Sequence, residues 1–397
     1  MDRRSFFAKG VMAAGATAAV GAAGVKAAQA TGLPASSGGM SILDFGAVGD
    51  GVTDDSAAFS AALKAAAIHG RAIFVPGLTY AIARPIVFSS TQDAARSWGL
   101  RCDGATLLSR ITGGADVVTL IANNTVRYFR LTGGLSIVGS GQDGNGLRLF
   151  APGGTPCLYN MLIEGLSIEH VGGHGLLFEG NVFEGTVQNS YFQDCGRNGA
   201  TFAHSQGGVV SAINVNGCYF NQNGGHGLAA TNFDGEYGGT TDVRVHGGYC
   251  RDNRGYGFYY NNGTGSGAIE QVGFENNCRA LPPGDPNGAH VYGLSSMYLR
   301  NCSGHNLYGG ATYLLRGWWS GLTVLEGCAQ SAAGAVAATG ATRLVQINGN
   351  AQGHVRLRNC NGGIDVAAGS SCSWAAESSA GPTPRGMLNY ATALASY

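Results

Sequence analysis

Acidic, basic and imidazole side chains recur between residues 190 and 256 at intervals that a regular fold could bring together. Asp194 and Asp252 supply two carboxylates, and His226 and Arg251 lie between them in the sequence. Two carboxylates suit general acid–base catalysis, whereas His and Arg suit proton transfer and the stabilisation of negative charge. These four residues are the candidate catalytic residues, and whether they meet depends on the elements that carry them.

A short pattern recurs through the segment that contains these residues. It occurs at Ile168–Gly175, Phe192–Gly199, Phe220–Gly227 and Cys250–Gly257, with successive starts 24, 28 and 30 residues apart. Each copy contains alternating apolar residues followed by a Gly-rich turn, as expected for a strand and its turn. A β-type repeat of this length predicts an all-β fold, a right-handed parallel β-helix with coils about 4.8 Å apart.

Aligning the repeats places residues of one type in columns. The predicted inward apolar column is Ile168, Phe192, Phe220, Cys250, Phe274, Leu299, Leu325 and Leu357. Three residues later comes a column of Val171, Cys195, Asn223, Asn253, Asn277, Cys302, Cys328 and Cys360. Stacked Asn side chains can hydrogen-bond one another and neighbouring backbone, and Cys fits the same slot as a small buried residue. We therefore expect one Asn/Cys ladder at one turn.

The N-terminal region has a second motif, DFGAVGDGVTDDSAAFSAAL, within Ser41–Ala66. Thr53 or Asp54 can N-cap a helix there, and a strand pair is expected around Pro76 and Gly77. The motif and the V-P-G-x-x-Y pair resemble the N-terminal cap of the pectate-lyase-like β-helix superfamily, which includes polygalacturonase-like hydrolases, polysaccharide lyases, epimerases and phage tailspikes. The resemblance implies a polysaccharide-active fold. The N-T-D, D-D and R-I-K elements of polygalacturonases and the W-x-D-H signature of calcium pectate lyases are absent, so the reaction is unassigned.

Within such a fold the candidate catalytic residues have two interpretations. Asp194 and Asp252 lie two coils apart, roughly 9–10 Å, at the upper edge of the separation typical of inverting glycosidases. His226 and Arg251 could instead carry a lyase reaction. Against both, Gly-His-Gly recurs in register around His174 and His226, which favours a turn built by the repeat.

Substrate-binding candidates lie on the same outer face and in two loops. Tyr191, Tyr219 and Tyr249, with Tyr298 further along, form a strip that could bind sugar rings or only stiffen the sheet. The Thr231–Asp242 loop contains Asp234 and Glu236, which could bind substrate or Ca²⁺ through hard oxygens. Trp318, and the Ala280–His290 loop, are further candidates. No metal site and no certain cofactor are assigned.

The first thirty residues are typical of a twin-arginine export signal, with Arg3 and Arg4 before an apolar stretch that ends in Ala28-Gln29-Ala30. We expect residues 1–30 to be this signal, 31–40 a linker, 41–88 the N-terminal cap and first coil, 89–363 the β-helix and 364–397 a C-terminal cap or tail. The protein is then periplasmic or extracellular. Because export of this type carries folded proteins, mostly free, buried thiols are expected.

The composition of the chain limits the classes of molecule that it is expected to bind. The chain has 24 Lys and Arg against 24 Asp and Glu, and removing the signal leaves 20 against 23, which provides no polybasic surface for nucleic acid. No run of about 20 apolar residues predicts a membrane span. The sequence indicates an exported polysaccharide lyase or glycoside hydrolase acting on a bacterial or plant polysaccharide. The alternative is a non-catalytic β-helix that binds glycans or assists exopolysaccharide assembly, and a homo-oligomer is compatible with either.

Overall fold

The computed structural model describes residues 39–377, except 95, 234–239, 262–266, 283–284, 286, 295, 308–309, 318–320, 333–342, 349–352, 363, 367–369 and 371. The proposed export signal and the end of the chain lie outside these residues. In the described part, no helix is long and apolar enough to cross a membrane.

Short strands dominate the described chain. In order they are β1 Asp50–Asp54, β2 Ala72–Val75, β3 Thr79–Ile82, β4 Ile86–Ser89, β5 Trp98–Cys102, β6 Ala105–Ser109, β7 Val118–Ile121, β8 Thr125–Arg127, β9 Phe129–Thr132, β10 Leu135–Val138, β11 Leu147–Ala151, β12 Cys157–Tyr159, β13 Leu162–Glu164, β14 Leu166–Glu169, β15 Leu176–Gly180, β16 Val182–Phe183, β17 Thr186–Gln188, β18 Tyr191–Gln193, β19 Ala200–His204, β20 Val210–Asn221, β21 Leu228–Asn232, β22 Thr240–Arg251, β23 Phe258–Tyr260, β24 Gly267–Glu270, β25 Gly273–Glu275, β26 Ala289–Gly293, β27 Met297–Arg300, β28 Ser303–Asn306, β29 Tyr313–Gly317, β30 Leu322–Glu326, β31 Ala329–Ala332, β32 Arg343–Ile347, β33 His354–Arg358, β34 Ile364–Val366 and β35 Ser373–Glu377.

These strands form two parallel sheets wound around one core. Sheet B contains the eleven strands β4, β7, β11, β15, β19, β21, β23, β26, β29, β32 and β34, and sheet A contains the other twenty-four. Each coil contributes successive segments to sheet A and then one strand to sheet B, with each strand paired to the strand one coil away. The fold is therefore a parallel β-solenoid, as the repeat predicts.

One α-helix, α1, runs from Ser56 to His69 at the start of the described chain. Its buried apolar face consists of Ala58, Phe59, Ala62, Leu63 and Ala66. The expected N-cap at Thr53 or Asp54 is wrong, because Asp55 precedes the helix and its carboxylate accepts the N–H groups of Val48 and Gly49 at 2.7 and 3.2 Å. The helix covers apolar core at the first coils, where strand edges would otherwise be open.

The predicted apolar column is correct as far as Phe274. Phe192 pairs in register with Phe220, and their rings stack 5.3 Å apart. Beyond Phe274 the prediction is wrong: Phe274 pairs with Gly304, whereas Leu299 pairs with Ile269 on another segment of sheet A. Each coil has two segments in sheet A, and both alternate apolar and polar residues. The Ala280–His290 loop lengthens this coil, so the residue at the expected spacing from Phe274 is Leu299 of the first segment instead of Gly304 of the second.

The Asn ladder is confirmed at its centre. Asn223 Nδ2 donates to Asn253 Oδ1 at 2.9 Å, and Asn253 Nδ2 donates to Asn277 Oδ1 at 2.8 Å. All three side chains are fully buried, and each also donates to a backbone carbonyl of an adjacent coil. Each amide is thus paired on both sides, as burial requires.

Cys302, Cys328 and Cys360 do not continue this ladder, which corrects the prediction. They follow the Leu299, Leu325 and Leu357 positions, and their thiols donate to the carbonyls of Ile269, Leu299 and Leu325 at 3.3, 3.5 and 3.3 Å. All ten cysteines are free and buried, in agreement with the expectation of unpaired interior thiols.

Candidate functional site

The candidate carboxylates Asp194 and Asp252 occupy one turn position two coils apart, with Gln222 between them. Their φ angles are 51°, 56° and 56°, all in the left-handed region that Asp and Asn tolerate better than most residues. Asp194 Oδ2 lies 2.7 Å from His170 Nδ1, and both side chains are more than half exposed. The turn therefore explains both residues structurally, and the catalytic role of the pair stays a prediction.

Asp252 has a different environment from Asp194. Its carboxylate lies 3.3 Å from Arg251 Nε and 3.7 Å from Arg279 Nη1, and its side chain is only 16% exposed. Burial raises the pKa of Asp252 above its ordinary value, although the two guanidinium groups act in the opposite direction. One carboxylate with a raised pKa, two coils from one that is half exposed, is an arrangement that acid–base chemistry can use.

The tyrosine strip is in register for three of its four members. Tyr191 pairs with Tyr219, and Tyr219 pairs with Tyr249. The Tyr191 and Tyr219 rings lie 6.2 Å apart, and Tyr219 is 48% exposed. Tyr249 donates to Glu275 Oε2 at 2.9 Å. Tyr298 is not part of the strip, because it pairs with Ala268 and Val324 on the other segment of sheet A.

His226 belongs to the turn that leads into sheet B. Its Nδ1 accepts the N–H of Tyr256 at 2.9 Å, and its ring stacks on Tyr259 with centroids 4.4 Å apart. Burial lowers the pKa of His226 to about 4, so the imidazole is neutral with its proton on Nε2. The described contacts tie His226 to the turn and to sheet B rather than to Asp194 or Asp252.

Three candidates cannot be placed. Asp234, Glu236 and Trp318 lie outside the described residues, so their substrate-binding role and the Ca²⁺ alternative stay predictions. Among the described residues, no group of three or more His, Cys, Asp or Glu side chains is arranged to hold a metal ion.

The outer face of sheet B contains a polar cluster that the sequence did not indicate. Glu179 accepts two hydrogen bonds from Arg148, with Nη2 at 2.7 Å and Nε at 2.9 Å, and a third from Ser205 Oγ at 3.0 Å. Glu179 is only 8% exposed although it lies on an outward-facing position of β15. Nearby, His204 Nδ1 lies 3.1 Å from Asn232 Oδ1. The contacts from Arg148 and Ser205 hold the Glu179 carboxylate in one orientation on the outer face of sheet B.

Further along sheet B, aromatic rings stack over consecutive coils. Tyr259 and Tyr292 are paired in register with centroids 5.4 Å apart, and Tyr256 lies within 5.8 Å of both. Arg316 is the next residue in this register, and its Nε donates to Asn348 Oδ1 at 3.0 Å. Burial raises the pKa of Tyr256 to about 12 and raises that of Tyr259 and Tyr292 as well, so the phenols keep their protons at neutral pH.

Comparison with known families agrees with this architecture. Residues 39–93 match the family described as rhamnogalacturonase A/epimerase, pectate lyase-like, and residues 110–303 match the family described as right handed beta helix region.

The fold is a right-handed parallel β-helix.

Solved structures similar to this β-helix include two from different sources. The A-module of the mannuronan C-5 epimerase AlgE4 of Azotobacter vinelandii is 17% identical, with a TM-score of 0.57 over 86% of this chain and 100% of the module. The enzymatically active domain of tailspike protein 2 of bacteriophage CBA120 is 14% identical, with a TM-score of 0.56 over 83% of this chain and 48% of that one. At these identities the likeness establishes the fold alone. The comparison with curated protein sequences finds no significant match.

Constant spacing could not have found the sheet B residues of this β-helix. Tyr259 follows Cys250 of the apolar column by 9 residues, whereas Tyr292 follows Phe274 by 18 and Arg316 follows Gly304, the residue paired with Phe274, by 12. Loops of unequal length before sheet B therefore hide the register from the sequence. Nothing in the sequence indicates a role for Glu179, because it is a single Glu in an apolar strand and the pattern does not show that Arg148 lies next to it.

Proposed function

We propose that this β-helix binds and processes an acidic polysaccharide on the outer face of sheet B. The observation that carries the proposal is the register of Tyr259, Tyr292 and Arg316 on three consecutive coils. A row of tyrosines suits the apolar faces and hydroxyl groups of sugar rings. Arg316 has no carboxylate partner among the described residues, which leaves its guanidinium available for an acidic group of the polymer.

This arrangement favours chemistry next to a uronate carboxylate. A guanidinium that neutralises the carboxylate lowers the cost of removing the adjacent proton, because the negative charge that develops is stabilised. A base must accept that proton. In β-elimination an ionised tyrosine can take it and pass it to the leaving oxygen, and in epimerisation a second, protonated tyrosine donates a proton to the opposite face of the sugar carbon. Burial raises the pKa of the Tyr256 phenol to about 12, which keeps this residue protonated at neutral pH and makes it a weak acid. β-Elimination or epimerisation are the reaction classes that use both groups.

The similar structures support the same substrate class. One is a mannuronan C-5 epimerase module, and another is the enzymatically active domain of a phage tailspike. The polar cluster around Glu179 lies on the same sheet face, where Arg148 and Ser205 hold the carboxylate in a fixed orientation. A fixed carboxylate can bind sugar hydroxyl groups without reorganising.

A non-catalytic glycan-binding protein is the second candidate. The observation that favours it is the use of both turn imidazoles in structural hydrogen bonds. His174 Nδ1 lies 2.9 Å from Thr201 Oγ1 and accepts the N–H of Asn198, and His226 Nδ1 accepts that of Tyr256. Because these two imidazole Nδ1 atoms are already hydrogen-bonded, neither is available as a catalytic base.

Product analysis separates these functions. The protein would be incubated with a panel of uronate and neutral polysaccharides. A lyase releases unsaturated, ultraviolet-absorbing ends, an epimerase changes the uronate configuration without cleavage, a hydrolase releases reducing ends alone, and a binder only retains the polymer. We expect activity on a uronate polymer, lowered ~10²–10⁴-fold by Arg316→Gln. The exposed Arg101→Gln on sheet A is the matched control. Activity restricted to neutral polymers, or equal activity of the two variants, contradicts the proposal.

Export by the twin-arginine route is part of the proposal, with Arg3 and Arg4 as its determinants. Residues 1–40 fused to a reporter should direct it out of the cytoplasm, and replacing both arginines with Lys should retain it there. A reporter exported equally well by the Lys variant contradicts this route.

A further inference from the structure

A groove of about 370 Å³ lies on the outer face of sheet A, on a different sheet from the proposed site. It crosses four consecutive coils at β22, β24, β27 and β30. Its lining includes Arg244, Ala268, Met297, Tyr298, Leu322 and Val324. The volume falls within the range of small-ligand pockets, about 300–1,000 Å³.

The groove arises from one small residue between two large ones. Ala268 pairs in register with Arg244 on one side and with Tyr298 on the other. With coils about 4.8 Å apart, these two flanking side chains start roughly 9–10 Å from each other over an alanine floor. The Tyr298 hydroxyl donates to Glu326 Oε2 at 3.0 Å, which fixes its ring. The result is a slot with one aromatic wall and one guanidinium wall.

In the described part of the chain, some of the charged side chains in and around the slot form ion pairs, and Arg244 does not. Glu270, on the coil of Ala268, is paired with Arg300 at 2.6 Å. Arg244 is exposed and has no ion-pair partner among the described residues. Asp242 also lines the slot, and it already has an interaction partner. Leu322, which is 51% exposed, and Val324 add an apolar edge. The available group in the slot is therefore a cation beside apolar and aromatic surface.

We infer that this slot is a second binding site, for a single carboxylate-bearing sugar unit of the polymer. The inference rests on the proposed function for the nature of that polymer. Arg244 pairs with the sugar carboxylate, and the pyranose ring lies over Ala268 against Tyr298. A polymer held at both faces dissociates more slowly than one held at either, because the second contact becomes intramolecular.

Calorimetric titration with oligogalacturonate and oligomannuronate tetrasaccharides tests the inference. The wild-type protein should bind two equivalents of at least one of them. Ala268→Phe, which fills the slot, should leave one equivalent, and Arg244→Gln should weaken that site roughly 10- to 100-fold. Thr186→Phe is the matched control, since Thr186 faces outward in the same register two coils before Arg244. Tyr292→Ala should remove the other equivalent.

The outcomes separate the two sites. If Ala268→Phe and Arg244→Gln both keep two equivalents, the slot is not a sugar site, while loss of one equivalent in Tyr292→Ala still supports the sheet B proposal. If Tyr292→Ala keeps both and Ala268→Phe loses one, the sheet B proposal fails and the slot stands. Equal slot binding of carboxyl-reduced tetrasaccharides overturns the role of Arg244, and no binding by the wild type overturns both. The retained sheet B equivalent shows that the slot variants are folded.

Discussion

The imidazole Nδ1 of His226 accepts the backbone N–H of Tyr256 from the next coil, at 2.9 Å. The side chain of Asn198 does the same for the N–H of His226, at 2.7 Å, and Asn145 does so for the N–H of His174, at 2.8 Å. Asn and His thus alternate along one turn of the β-helix and perform the same task. Each satisfies a backbone donor that would otherwise be buried without a partner.

This equivalence predicts the effect of substitutions at His226. His226→Asn keeps an acceptor of the kind already used at Asn198 and loses only the ring that stacks on Tyr259, so it should lower the free energy of unfolding by about 0.5–1.5 kcal/mol. His226→Ala loses the ring and also leaves the Tyr256 N–H unpaired, which should cost about 1–3 kcal/mol more. Urea denaturation of the two variants measures the difference. Equal stability of the two would show that the hydrogen bond contributes nothing.

The same imidazoles predict a loss of stability in mild acid. Burial lowers the pKa of His174 and His226 to about 4 and that of His290 to about 3, against 6.5 for free imidazole. The unfolded chain therefore takes up protons first, and the free energy of unfolding should hold above about pH 6.5 and fall from there towards pH 4. Urea midpoints measured across this range test the effect. His226→Asn should make the fall shallower, and an unchanged slope in this variant would contradict a contribution from His226.

The buried Asn ladder predicts a specific cost. Asn253→Leu removes the donor to Asn277 Oδ1 and the acceptor for Asn223 Nδ2. The unpaired amide groups should lower the free energy of unfolding by about 1–3 kcal/mol. Asn253→Cys is the control, because Cys195 already occupies this column, and it should cost less. A Leu variant as stable as the wild type would contradict the ladder as a source of stability.

Substitution of Asp252 distinguishes a catalytic role for the Asp194 and Asp252 pair from a purely structural role in the turn. Because the pKa of Asp252 is raised in the folded state, the charged form is disfavoured by folding, and Asp252→Asn should raise the free energy of unfolding at pH 7. That gain should disappear below about pH 4, where the carboxyl is protonated in both states.

Activity on the true substrate completes this test. If Asp252 is a general acid, the Asn variant should turn over ~10²–10⁴-fold more slowly despite its higher stability. Asp194→Asn should slow turnover similarly if Asp194 is the base. Full activity in both variants, with loss only on substitution of Arg316, assigns both aspartates to the turn.

The sequence predicted the coil but not every position in it. Asn253 was placed correctly because its neighbours repeat at nearly constant spacing and because a buried amide needs partners above and below. Leu299 was misplaced because two segments of each coil share one alternation of apolar and polar residues, so spacing alone could not distinguish them. The Tyr259 and Arg316 surface was missed for a related reason: loops of unequal length precede sheet B, and only the closed coil shows which strands become neighbours.

The described ladders join each coil to the coils directly above and below, as in the bonds of Asn253 to Asn223 and Asn277. Cooperativity in such a stack is one-dimensional, since the unfolding free energy is a sum of coil terms and nearest-neighbour terms. Helix α1 raises the cost of opening at the end that it covers. The protection of backbone amides from hydrogen exchange should therefore change gradually from coil to coil along the axis of the β-helix. A single value for all coils is not expected.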